Sequence, residues 1–89
     1  MSLWKYKFTD RAQKTLDKLD PPIKDRLENY LKEVCKLPDP TIRGKGLSGN
    51  RAGQWRYRVG DYRLICEVQG EVFLVLVLEV GHRKSVYKR

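Results

Sequence analysis

Arg56, Arg58 and Arg63 are the side chains whose spacing most directly implies chemistry. They lie in the run Gln54 to Cys66, where Trp55, Tyr57 and Val59 alternate with Arg56 and Arg58, the pattern of a strand with two unlike faces. Gly60-Asp61 suits a two-residue hairpin turn of type II′, with glycine at the first central position. The register that turn imposes pairs Val59 with Tyr62, Arg58 with Arg63, Tyr57 with Leu64 and Arg56 with Ile65. One face is then aromatic and aliphatic, while the other gathers three guanidinium groups. Like charges directly opposed on a sheet cost up to ~1 kcal/mol per pair. Either the long side chains splay into water, or an anion, phosphate above all, sits between their planar forks.

Other groups with chemical potential are few. His82 is the only histidine; beside an arginine its ordinary place is the surface, yet an unperturbed pKa near ~6.5 makes it the natural proton carrier. Tyr87 follows on a basic tail and either stacks on a splayed RNA base or closes the edge of the core. Glu67 and Glu79 are the acids nearest the sheet, more suited to pairing with an arginine than to catalysis. Gly44 to Gly53 is glycine-rich but lacks the lysine-serine pair of a phosphate loop. No serine–histidine–aspartate set or metal-ligand spacing occurs, so neither metal nor cofactor is expected. Cys35 and Cys66 fall on the apolar sides of a helix and a strand, as free buried thiols in a reducing cytoplasm.

The elements that position these residues follow from periodicity. Leu3 to Phe8 alternates and reads as a strand. Thr9-Asp10 caps a short helix carrying Ala12, Leu16 and Leu19, and Asp20-Pro21 starts a second helix with the stripe Ile23, Leu27, Tyr30, Leu31 and Val34, ended by Pro38 and Pro40. Asp39 to Gly53 reads as a loop anchored by Leu47. After the hairpin, a turn at Gln69-Gly70 or Gly70-Glu71 leads into a last strand. Phe73, Val75 and Val77 share the face of Cys66 and Val68, and Leu74, Leu76 and Leu78 share that of the arginines. Apolar residues on both faces make this strand interior. The order is β-α-α-β-β-β: an α+β fold, a small antiparallel sheet with two N-terminal helices packed on one face.

Eighty-nine residues fit one domain, 1–89. The charge is +8 and uneven: +2 over residues 1–40 and +6 over residues 41–89, where arginine predominates. Such a balance points to nucleic acid, an acidic protein partner, or both. The apolar run Val72 to Val80 is short and interrupted by Glu79, so no membrane partner is expected.

Lys45-Gly46-Leu47-Ser48-Gly49, the run Gly53 to Leu64 and the run Val80 to Tyr87 resemble the RelE/ParE toxin superfamily over nearly the whole chain. The ending Gly81-His82-Arg83-Lys84-Ser85-Val86-Tyr87 is similar to the RelE branch, whose members cleave messenger RNA in the ribosomal A site. The ParE branch shares the fold and poisons DNA gyrase. The RelE likeness implies an mRNA endoribonuclease, the toxin of a type II toxin–antitoxin pair. Its partners would be an acidic RelB-like antitoxin, mRNA and ribosomal RNA. It also implies site roles: Arg63 on the scissile phosphate, Arg83 protonating the leaving 5′ oxygen, Tyr87 stacking on a codon base, and Arg56 and Arg58 at basic positions that are usually lysine. Lys45, Arg51, Arg56 and Lys84 would contact RNA. Arginine is a poor base, because its guanidinium stays protonated far above neutral pH. Proton removal therefore falls either to electrostatic catalysis by Arg58, Arg63 and Arg83 or to His82. The rivals are a ParE-like gyrase inhibitor without chemistry and a silent member acting only as an antitoxin-bound repressor.

Overall fold

The computed structural model describes residues 3–82. Its elements are β1 (Lys5–Phe8), α1 (Asp10–Asp17), α2 (Pro21–Cys35), β2 (Lys45–Gly46), β3 (Gln54–Val59), β4 (Tyr62–Gln69) and β5 (Leu74–His82). The strands form one sheet in the order β1-β5-β4-β3-β2. Pairing is antiparallel except where β1 runs parallel to β5 along the edge. The expected antiparallel sheet is therefore mixed: a helical connection after β1 carries the chain across before it returns, so β1 ends beside the last strand. No helix among the described residues is long and apolar enough to cross a membrane.

The Thr9 hydroxyl accepts the Ala12 amide at 3.2 Å and starts α1, while Pro21 occupies the first turn of α2, where its missing N–H costs nothing. Ala12 and Leu16 of α1, with Leu27, Leu31, Val34 and Cys35 of α2, bury against Tyr57, Val59, Leu64, Cys66, Val75, Val77 and Val80. Ile23 and Tyr30 border this core. The Tyr57 hydroxyl donates to the Pro40 carbonyl at 2.6 Å, and Pro40 is itself buried. These two, more than the half-buried Leu47, fasten the long β2 approach to the core.

The hairpin has the register that the alternation implies, with Arg58 opposite Arg63. Gly60 has φ +60° and Asp61 a negative φ, as a type II′ turn requires. Gly60 also lies under the Arg26 guanidinium, where a Cβ would approach Nη1 at 3.1 Å. The next turn differs from expectation. Gly70–Val72 forms a 3₁₀ turn and Phe73 takes a left-handed conformation, φ 51°, so Phe73 lies outside the strand. A bulge at Ile65/Cys66 then shifts the register: Cys66 faces Val77, but Ile65 faces Glu79 and Leu64 faces Val80.

Candidate functional site

The face of the sheet away from the helices carries the basic residues in two cross-strand rows. One runs Lys45, Arg56, Ile65, Glu79; the other runs Arg58, Arg63, Gly81. Lys45 and Arg58 are exposed, Arg56 is half-buried, and Arg63 is 5% exposed. Gly81 opposite Arg63 presents no side chain, which leaves room for the guanidinium stem on that row. Ile65 is 2% exposed on the same face. Leu74 and Leu76, opposite Gln69 and Glu67, extend it as a half-buried aliphatic floor, and Leu78 sits at the bulge.

Glu79 reaches this face only because of the bulge; strict alternation from Val77 would have turned it toward the helices. There it pairs with Arg51. The Arg51 guanidinium also donates to Gln54 Oε1 at 3.2 Å, so one side chain bridges β3 and β5 across β4. Arg51, expected to contact RNA, is thus engaged within the fold. Glu67, the other candidate acid, accepts from Gln69 Nε2 at 2.6 Å and remains exposed.

His82 is placed away from the arginines. It faces Tyr62, which shares strand parity with Leu64, so both lie on the helix side of the sheet, whereas Arg63 and Gly81 lie on the other. The imidazole meets the Tyr62 ring edge-on, centroids 5.4 Å apart. Arg83, Lys84 and Tyr87 lie outside the described residues.

The remaining titratable groups are structural. Burial pushes the Tyr57 phenol well above its ordinary range, with the nearby Cys66, Tyr30, Cys35 and Asp39 adding in the same direction. Burial raises the Cys66 thiol strongly and the Cys35 thiol as well, which keeps both protonated and unreactive. Among the described residues no group of three or more His, Cys, Asp or Glu is disposed to hold a metal. What the arginine face can do is recognise: it offers fixed positive charge, an ion-pair brace and an apolar floor.

Residues 6–87 match the family of the ParE toxin of the type II toxin–antitoxin system parDE, and the chain belongs to that family. It is 32% identical to Toxin RelG of Mycobacterium tuberculosis over 93% of this chain and 94% of that protein. Among solved structures it resembles the toxin–antitoxin complex RelBE2 of M. tuberculosis, with TM-score 0.83, 31% identity, 93% of this chain and 94% of the other. It also resembles the intact E. coli RelBE complex, with TM-score 0.71, 25% identity, 89% of this chain and 95% of the other.

The family match corrects the branch inferred from the Gly81 to Tyr87 ending: the chain falls with ParE toxins rather than the RelE ribonucleases. The endoribonuclease activity inferred from that ending goes with it. Of the five residues that the likeness placed at a catalytic site, three are described: Arg58 is exposed, Arg63 is buried, and His82 is on the opposite side of the sheet.

Proposed function

We infer that this chain is the toxin of a type II toxin–antitoxin pair that acts by binding a protein target, DNA gyrase, without chemistry of its own. The match over residues 6–87 to the ParE family carries this reading. The arrangement on the sheet supports it, since fixed positive charge and an apolar floor lie side by side there, as a binding surface requires. The antitoxin is an acidic protein that covers the arginine face: its carboxylates meet Arg56 and Arg58, and its apolar side chains cover Leu74 and Leu76. Relatives of this fold occur in complexes with RelB antitoxins in E. coli and Methanococcus jannaschii. Arg56 and Arg58 thus become binding residues. The test is brief induction followed by plasmid topology and mapping of messenger RNA ends. Relaxed plasmid with intact messages is the expected result, matched by inhibition of purified gyrase supercoiling. Messages cut within codons on supercoiled plasmid would overturn it.

A further inference from the structure

At the end of the sheet away from β1, a cleft of about 350 Å³ opens between α2 and the β3–β4 hairpin. Arg26, Asn29, Tyr30 and Glu33 line it from α2, Arg58 and Gly60 from the hairpin. The spacing 26, 29, 30, 33 is one face of a helix, so these four side chains form a stripe beside the apolar one. The Arg26 guanidinium lies over Gly60, where a Cβ would meet Nη1 and Nη2 at 3.1 Å. Neither Arg26 nor Arg58 has an ion pair or a side-chain hydrogen bond among the described residues. The two-residue turn makes Arg58 and Arg63 a pair without mutual main-chain bonds, so the Arg58 N–H points away from β4. β2 pairs no further along β3 than Arg56, which leaves that N–H at the rim of the cleft. Tyr30 is half-buried, its ring edge-on to Tyr57 at 6.1 Å. Burial raises its phenol above the ordinary range, while the charge of Arg43 acts the other way, which puts a third guanidinium within electrostatic reach. Glu33, at the far end, pairs with Lys36 at 3.4 Å.

We propose that this cleft binds a nucleoside monophosphate, with the phosphate at its hairpin end and the base at its Glu33 end. Charge sets the orientation. Arg26 supplies a planar fork and Arg58 an outward amide, donors suited to a phosphate dianion, whereas Glu33 repels an anion placed beside it. Seven residues of helix separate Arg26 from Glu33, a span of roughly 10 Å that one nucleotide bridges and inorganic phosphate does not. Tyr30 lies between them and offers a ring on which a base rests. Asn29 both donates and accepts, the pairing that side-chain amides make with the N7 and N6 edge of adenine. The size of the cleft suits a single small molecule. A nucleic-acid strand fits poorly, because its next phosphate would meet Glu33. A carboxylate peptide would engage Arg26 but leave Tyr30 and Asn29 unused. The site rests on α2 and the hairpin and does not depend on the gyrase reading.

The test is titration of the full chain with adenosine 5′-monophosphate, inorganic phosphate and adenosine, followed by calorimetry and amide chemical shifts. The expected result is saturable binding of the nucleotide, roughly tenfold or more tighter than either fragment, with shifts at Asn29, Arg58 and Gly60. Arg26→Ala should weaken nucleotide binding by roughly tenfold or more and leave adenosine binding unchanged. Asn29→Ala should weaken nucleotide and adenosine alike and leave phosphate binding unchanged. Lys32→Ala, which removes the same charge from another face of α2, should leave all three affinities as they are. Arg26, Asn29 and Lys32 are exposed, so these variants keep the fold. Four results would overturn the proposal: no binding at millimolar nucleotide, phosphate bound as tightly as the nucleotide, equal losses in Arg26→Ala and Lys32→Ala, or tighter binding of an acidic peptide to the same residues. Gyrase assays take no part in this experiment, so its outcome is independent of theirs.

Discussion

The two faces of one sheet solve different problems with the same strands. On the helix side, Tyr57, Leu64, Cys66, Val75 and Val77 are buried by α1 and α2, and nearly every side chain is apolar. On the other side no described helix packs, yet Ile65 and Arg63 are 2% and 5% exposed, while Arg58, directly across from Arg63, is exposed. Burial on the first face follows from hydrophobic patterning. On the second, a bulge, a glycine and an ion pair shape the described surroundings, and neighbours on that face differ sharply in environment. A basic residue there cannot be assigned to recognition from its type alone.

Four measurements test that contrast. The largest effect is expected on the helix side, where Leu31→Ala opens a cavity beneath the sheet and should cost about 2–5 kcal/mol in denaturant unfolding. A cost as small as that of a surface change would mean the helices pack more loosely than described. Next is the paired comparison on the arginine face. Arg63→Ala removes a buried stem and should cost about 1–3 kcal/mol, whereas Arg58→Ala should fall within about 0.5 kcal/mol. Equal costs would erase the distinction between these opposed arginines.

Tyr57→Phe should cost about 0.5–1.5 kcal/mol through loss of the bond to the Pro40 carbonyl. Its pH dependence sharpens the point. The folded phenol ionises later than that of an unfolded tyrosine, near ~10, because burial disfavours the phenolate. The unfolded chain therefore loses its proton first. Stability from this group is present below pH ~10 and is lost as pH rises beyond it. The Cys35 and Cys66 thiols act in the same direction from about 8.5 upward. Unfolding titrations at alkaline pH should show this decline, and Tyr57→Phe should flatten its upper part. The smallest effect belongs to Arg51 and Glu79. Arg51 is substantially exposed, so a double-mutant cycle with Arg51→Ala and Glu79→Gln should give a coupling of about 1 kcal/mol or less. A larger value would make the bridge across β4 a principal support of the face.

Sequence alone determined the parts governed by local chemistry. Alternation and Gly60-Asp61 specified the hairpin register to the residue, because a two-residue turn leaves no freedom to slip. Thr9 and Asp20-Pro21 marked the helix starts, and the stripe from Ile23 to Val34 identified the buried side of α2. The superfamily was legible in the Trp55 to Leu64 motif, but the branch was not. That motif specifies the shared hairpin, and the ending that suggested a ribonuclease gave way to the match over residues 6–87. Tertiary structure decided the rest. Parallel pairing of β1 with β5 depends on where a helical crossover returns, which no local pattern encodes. The bulge at Ile65/Cys66 broke the parity that would have turned Glu79 toward the helices, and so brought Arg51 into an ion pair. His82 and Arg63 lie near the same strand ends, yet a one-residue difference in alternation puts them on opposite sides of the sheet. Burial of Arg63 beside the exposed Arg58 likewise depends on what covers each position, a property of the assembled sheet rather than of residue type.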